Sequence, residues 1–146
     1  MSERTGNDRW IKNLAIYYGL LQTVHMGFLM RAGRILLSSG RMPFPASPPG
    51  GGWNPQLLPF FIGMGIVDAI AAGIGLYFLY LLIVKQTVKL SIGIISLTLA
   101  LSSGLVFLIG TIASGAWNQH FGEYLILVLV FIPVILFYIS LLRKIN

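Results

Sequence analysis

Residues Leu57–Val84, LLPFFIGMGIVDAIAAGIGLYFLYLLIV, decide the fold of this chain. The stretch is longer than a membrane span requires, because about 20 apolar residues suffice to cross the hydrocarbon core of a bilayer. It holds one acid, Asp68, near its middle. A carboxylate at that depth is costly and usually has a partner or a function. The stretch therefore predicts a transmembrane helix with an acidic side chain inside the membrane.

The composition of the whole chain also indicates a membrane protein. Of its 146 residues, 56% are hydrophobic and 10% are charged, and the mean hydropathy is +0.84. A soluble domain carries roughly 25% charged residues. The net charge of +6 does not indicate nucleic-acid binding, because the basic residues are spread over the segment ends and form no single stripe. The chain has no cysteine, which excludes disulfides and thiolate metal sites.

The apolar segments predict four helices in one domain that covers residues 1–146. They are expected at about residues 13–37, 56–84, 90–113 and 123–142. Residues 38–55, SSGRMPFPASPPGGGWNP, predict an extended loop, because proline lacks a backbone donor and glycine is unconstrained. Residues 114–122 predict a second loop, and the short turn Lys85–Lys89 predicts an antiparallel hairpin. We therefore expect an all-α integral membrane protein, a four-transmembrane-helix antiparallel bundle.

The distribution of basic residues predicts the orientation of this bundle. One side of the membrane would hold both terminal segments and the 85–89 turn, with Arg4, Arg9, Lys12, Lys85, Lys89, Arg143 and Lys144. The other side would hold only Arg31, Arg34 and Arg41. Since cytoplasmic segments carry the excess of Lys and Arg, both termini are expected in the cytoplasm. The Pro/Gly-rich loop would then face outward, and we expect a plasma-membrane location.

Polar residues of the first two helices predict a cluster inside the membrane. At about 1.5 Å per residue, Asp68 lies roughly 24 Å from the cytoplasmic end, Arg31 roughly 27 Å and His25 roughly 18 Å. We expect these three side chains to approach one another, and Gln22 and Glu123 complete the candidate ligand or proton site. The same groups could instead form an ion pair that only ties two helices together.

Small residues at four-residue spacing predict the contact between helices two and three. In lipid, small side chains let two helix backbones approach closely. The predicted stripes are Gly65, Ala69 and Gly73 on helix two, and Ser96, Ala100 and Gly104 on helix three. The two histidines, His25 and His120, are not at a metal-binding spacing. We therefore predict no catalytic residue, metal or cofactor.

Two functions remain open at this stage. The first is an accessory or assembly subunit of a larger membrane complex, without chemistry of its own, which is more consistent with the small size and the absence of a cofactor motif. The second is binding, isomerisation or transport of a lipophilic or cationic small molecule by Asp68 with His25 and Arg31. The expected partners are the lipid bilayer and other membrane subunits, or further copies of this chain, and no nucleic acid.

Overall fold

The computed structural model describes residues 3–40, 56 and 58–145, and over these it is helical without strands. The helices are α1 (Glu3–Ser39), α2 (Leu58–Leu79), α3 (Leu90–Ala113) and α4 (Ala116–Leu142), and a π-helical turn (Tyr80–Val84) continues α2. The prediction of an all-α chain is thus confirmed for this part. The Pro/Gly-rich loop predicted between the first two helices falls, from residue 41 to residue 55, outside the described residues.

Three of the helices are long and apolar enough to cross a membrane. They provide the segments Pro59–Val84, Leu90–Ala113 and Ala116–Leu142, with mean hydropathies of 2.2, 2.3 and 3.1. A segment of 24 to 27 residues exceeds the length that a bilayer core requires. These three helices indicate a membrane protein. The first helix has 37 residues but carries Arg31 and Arg34 in its second half.

A tight turn makes α2 and α3 antiparallel. The π-helical turn ends where Lys85 N–H donates to the Tyr80 carbonyl at 3.1 Å, and Thr87 N–H donates to the Leu81 carbonyl at 2.8 Å. Gln86 has a positive φ of 50°, a conformation that reverses the chain but that few non-glycine residues adopt. The predicted hairpin therefore begins at the end of a widened helical turn.

The fourth helix begins earlier than the sequence predicts. Gly115 adopts φ 74°, which glycine reaches at no steric cost, and it turns the chain directly from α3 into α4. The predicted loop at 114–122 is therefore mostly helical, with a break at His120 (φ −126°, ψ 37°). Trp117 holds this corner, because its Nε1 donates to Thr111 Oγ1 at 3.1 Å and its ring stacks on Tyr124 at 5.3 Å.

The core of the bundle is concentrated at one end. We call this end, where Lys12, the 85–89 turn and Arg143 lie, the basic end, and the opposite one the far end. The main cluster of buried side chains comprises Ile11, Leu14, Ala15, Tyr18, Phe78, Leu79, Leu82, Leu97, Val134, Phe137 and Leu141. A smaller cluster at the far end is built on Ala116 and Tyr124. In α1, Gln22 is the last buried residue, and none from 23 to 40 is buried.

A tyrosine of α1 bonds the backbone of α4 close to its internal proline. Pro133 has no N–H, so the carbonyl four residues earlier loses its helical partner. Tyr17 donates its hydroxyl hydrogen to the carbonyl of the adjacent Val130 at 2.8 Å. This hydrogen bond joins α1 to α4 within one helical turn of Pro133.

Candidate functional site

Two of the predicted site residues meet where α1 packs against α2. His25 Nε2 lies 3.5 Å from Asp68 Oδ2, and the two side chains are 35% and 17% exposed. The carboxylate is therefore largely covered but still reachable from outside the bundle. This contact is the centre of the candidate site, and the other polar residues are placed relative to it.

A second polar layer lies closer to the basic end. Ser96 Oγ donates to the Ala71 carbonyl at 2.8 Å, so the 2.7 Å bond between Tyr18 OH and Ser96 Oγ has the tyrosine as its donor. Tyr18 and Ser96 are fully buried. A Cβ atom on Gly75 would lie 2.7 Å from Ser96 Oγ and 3.0 Å from Tyr18 Cε1. Only glycine leaves space for this layer, which joins α1, α2 and α3.

Gln22 connects the two layers along α1. It is 5% exposed and its side chain lies beside the Tyr18 hydroxyl. Residues four apart share a helix face, and Gln22 is four residues from Tyr18 and three from His25. The inward face of α1 therefore presents three polar side chains in succession to α2 and α3.

Ser103 is a buried polar residue without a partner in the described part of the chain. Its Oγ has no hydrogen bond there, and the residue is only 5% exposed. Ser103 lies seven residues after Ser96, and a heptad step returns to nearly the same face of a helix, with a drift of about 20°. Its hydroxyl group is therefore on the face of α3 that meets α1 and α2.

The polar layer nearer the basic end has a counterpart seven residues away on all three helices. Tyr18, Gly75 and Ser96 form one level, and His25, Asp68 and Ser103 follow it by seven residues on α1, α2 and α3. Since α2 runs antiparallel to its neighbours, the step is towards the far end in each case. By this seven-residue step, Asp68 on α2 and Ser103 on α3 are at about the same level of the bundle. We call His25, Asp68 and Ser103 the upper polar layer.

Arg31 is on a different face of α1. It is exposed, and six residues correspond to about 1.7 helical turns, so it is rotated away from His25 by about a third of a turn. No ion pair with Asp68 is found for it among the described residues. The depth estimate placed Arg31 level with Asp68, whereas the contact of Asp68 with His25 leaves Arg31 about 9 Å farther along α1 and rotated away.

Arg34 belongs to the same exposed face as Arg31. His25 faces Asp68, and a Cβ on Gly65 would lie 3.8 Å from Leu29. Continuing this antiparallel register places Arg34 at about the level of Phe60, beside the first residue of the span Pro59–Val84. The arginine pair is therefore located at the rim of the apolar region.

We call Gly27, Arg31 and Arg34, with their exposed neighbours Leu20, Val24 and Met30, the outer face of α1.

Glu123 lies away from the upper polar layer. Its Oε2 is 3.2 Å from His120 Nδ1, one helical turn earlier, and its side chain is 61% exposed. This pair lies next to the helix break at His120. It belongs to the far end of the bundle, where α3 turns into α4.

The predicted small-residue stripes meet different partners. Gly73 is exposed, with no atom within 4 Å of an added Cβ, and Ala69 is partly buried. Ala71 and Gly75 approach Ser96 instead. On α3, Ala100 is buried, whereas a Cβ on Gly104 would lie 3.0 Å from the Phe131 ring of α4. The contact surface of α2 is thus rotated relative to the predicted stripe.

Sequence reasoning did not single out Tyr18 or Ser103 as site residues. The signal that finds them is the seven-residue spacing from Tyr18 to His25 and from Ser96 to Ser103.

In the described part of the chain, no three His, Asp or Glu side chains are grouped as metal ligands would be. Comparisons with protein-family models, curated proteins and solved structures find no match to this chain.

Proposed function

We propose that this chain is an accessory or assembly subunit of a larger membrane complex, without chemistry of its own. In this proposal α1 is a fourth transmembrane helix, and its outer face binds an acidic transmembrane segment of a partner subunit. The observation that carries the proposal is the exposed arginine pair, Arg31 and Arg34, on a half of α1 that contains no buried residue.

The packing of α1 supports its placement as a span. It has 37 residues, a length of roughly 55 Å, and lies antiparallel to α2 from Tyr18 to Leu29. A helix so packed against a membrane helix occupies the same range of depths. We further propose that both termini and the 85–89 turn lie in the cytoplasm, which the excess of Lys and Arg at the basic end supports, and that the membrane is the plasma membrane.

The acidic residues of the chain do not neutralise the arginine pair. There are four, Glu3, Asp8, Asp68 and Glu123. Asp68 lies beside His25 and Glu123 lies beside His120. Glu3 and Asp8 are in the first turns of α1, roughly 35 Å or more from Arg31 along the helix. Residues 41–55 contain no acid. In this proposal the compensating anion belongs to another molecule.

A partner subunit fits this surface better than a second copy of the chain. In a symmetric dimer, both copies use the same patch, so the outer faces would bring like charges together. Gly27 is exposed, with no atom within 4 Å of an added Cβ, and a glycine lets another helix approach closely. An arginine also binds a carboxylate through two parallel hydrogen bonds. These features match a transmembrane helix that carries Asp or Glu near its outer end.

Co-purification from the native membrane tests the proposal. A tagged chain is purified in mild detergent, and the recovery of partner subunits is quantified by mass spectrometry. Arg31→Gln with Arg34→Gln should lower that recovery more than tenfold, since hydrogen bonds to charged groups contribute about 1.5–3 kcal/mol each. The matched control, Lys85→Gln with Lys89→Gln, removes the same charge at the basic end and should leave recovery unchanged. Equal recovery with both double variants would contradict the proposal.

A further inference from the structure

The upper polar layer has acceptors that the bundle does not use. Asp68 forms an ion-pair contact with His25 at 3.5 Å, and Ser103 Oγ has no partner among the described residues. The polar layer nearer the basic end differs, because Ser96 bonds both Tyr18 and the Ala71 carbonyl. An unsatisfied buried hydroxyl costs stability, so its presence at about the level of a carboxylate requires an explanation.

We infer that His25, Asp68 and Ser103 form a binding site for the primary ammonium group of an apolar amine. A primary ammonium has three N–H donors and no acceptor. The upper polar layer offers three acceptor atoms, the two carboxylate oxygens of Asp68 and the hydroxyl oxygen of Ser103, while His25 contacts the carboxylate from α1. One donor for each acceptor would satisfy the group completely.

The charges around the layer select a cation. Asp68 is the one acid between residues 58 and 122, and neither α3 nor the part of α4 after Glu123 contains a charged residue. His25 is the titratable group that faces it from α1. A cation bound here would therefore meet one carboxylate and no fixed positive charge. A metal cation is a poorer fit, because hard metal ions take six or more oxygen ligands.

The surroundings of the layer select an apolar molecule. Phe61, seven residues before Asp68, packs edge-on against Phe107 with ring centroids 6.2 Å apart. By position along α2 and α3, this aromatic pair is on the far-end side of the layer, and such rings also attract cations. His25 and Asp68 remain partly exposed beside α1. If α1 spans the membrane as proposed, this opening faces lipid, so the ligand's hydrocarbon part lies in the bilayer.

Binding of decylamine to the full chain in lipid nanodiscs tests this inference. Radiolabelled decylamine is titrated near neutral pH, and binding to empty nanodiscs is subtracted. We expect saturable binding at one site per chain. Asp68→Asn should weaken it at least tenfold and Ser103→Ala several-fold, the effects of losing charge-assisted hydrogen bonds. Ser102→Ala, at an exposed neighbour on α3, is the matched control and should not change binding.

A competing ligand without N–H donors tests the chemistry of the site. Decyltrimethylammonium keeps the charge and the chain but cannot donate, so it should compete at least tenfold less well than decylamine. Equal competition, unchanged binding to Asp68→Asn, or equal losses in the two serine variants would overturn the inference. These outcomes do not depend on partner binding, since the chain is studied alone. Conversely, Asp68→Asn should leave partner recovery intact, because Asp68 is not on the outer face of α1.

Discussion

Substitution of two glycines on α2, only two residues apart, should have opposite effects on stability. Gly75 lies in the layer formed with Tyr18 and Ser96, and a Cβ there would be 2.7 Å from Ser96 Oγ. Gly73 is on the exposed face, with no atom within 4 Å of an added Cβ. Gly75→Ala therefore introduces a steric conflict, whereas Gly73→Ala adds only a methyl group facing outward.

The expected loss of unfolding free energy for Gly75→Ala follows from overpacking against Ser96 and from the weakening of its two hydrogen bonds. Its hydroxyl is held by bonds of 2.7 Å to Tyr18 and 2.8 Å to the Ala71 carbonyl, so it cannot move without weakening both. Overpacking costs about 1–3 kcal/mol, and each weakened bond costs up to about 1 kcal/mol. Alanine recovers about 1 kcal/mol in helix propensity. The expected net loss is about 2 kcal/mol, against a gain of up to about 1 kcal/mol for Gly73→Ala.

Reversible unfolding in mixed micelles measures this difference. Each variant is unfolded by a rising fraction of denaturing detergent, and helix content is followed by circular dichroism. The unfolding midpoint should fall for Gly75→Ala and stay or rise for Gly73→Ala. If Gly73→Ala cost as much as Gly75→Ala, α2 would face α3 through the stripe predicted from sequence, and the described packing would be refuted.

Three further predictions concern individual hydrogen bonds, and the same unfolding assay checks them. Ser96→Ala should lower the free energy of unfolding by about 1–2 kcal/mol, because it removes two hydrogen bonds. Ser103→Ala should be neutral or stabilising, because among the described residues that buried hydroxyl has no partner. Equal losses of stability in the two variants would contradict the difference between the layers. Tyr17→Phe should lower the free energy of unfolding by about 1 kcal/mol, because the Val130 carbonyl loses its 2.8 Å bond from α1, and an unchanged midpoint would show that this bond does not stabilise the protein. Trp117→Phe should lower the free energy of unfolding by about 1–2 kcal/mol, because the Nε1 hydrogen bond is lost and the ring stacking is weaker. A full recovery of stability by Trp117→Tyr would argue against the hydrogen bond.

The sequence predicted the helices that apolar length alone defines. The 90–113 helix has the predicted bounds, because a basic turn and a glycine-containing corner limit its apolar run. The start of α4 was missed, because polar residues such as Asn118 and His120 resemble a loop in sequence. In the structure Gly115 makes the turn alone, so the polar residues after it enter the helix.

The candidate site was partly predictable for a similar reason. Depth along a helix follows from counting residues, but the count placed Asp68 closer in level to Arg31 than to His25, whereas the structure pairs Asp68 with His25. The rotation of each helix about its axis could not be deduced from depth, and therefore Arg31 was assigned to the same cluster. Ser103 was one of several hydroxyl residues of the third helix, and only packing against α1 and α2 distinguishes it from the exposed Ser102.

The most direct test of the account is photo-crosslinking from the outer face of α1 in the native membrane. A photoreactive amino acid replaces Gly27, and, as the control, Gly73; both positions accept a side chain without contact inside the bundle. We predict a crosslink from position 27 alone, to an apolar segment of another protein that contains Asp or Glu, and its loss when Arg31 and Arg34 are changed to Gln. Crosslinks from position 27 only to lipid or to a second copy of this chain, or equal crosslinking from position 73, would contradict the proposed role as a subunit.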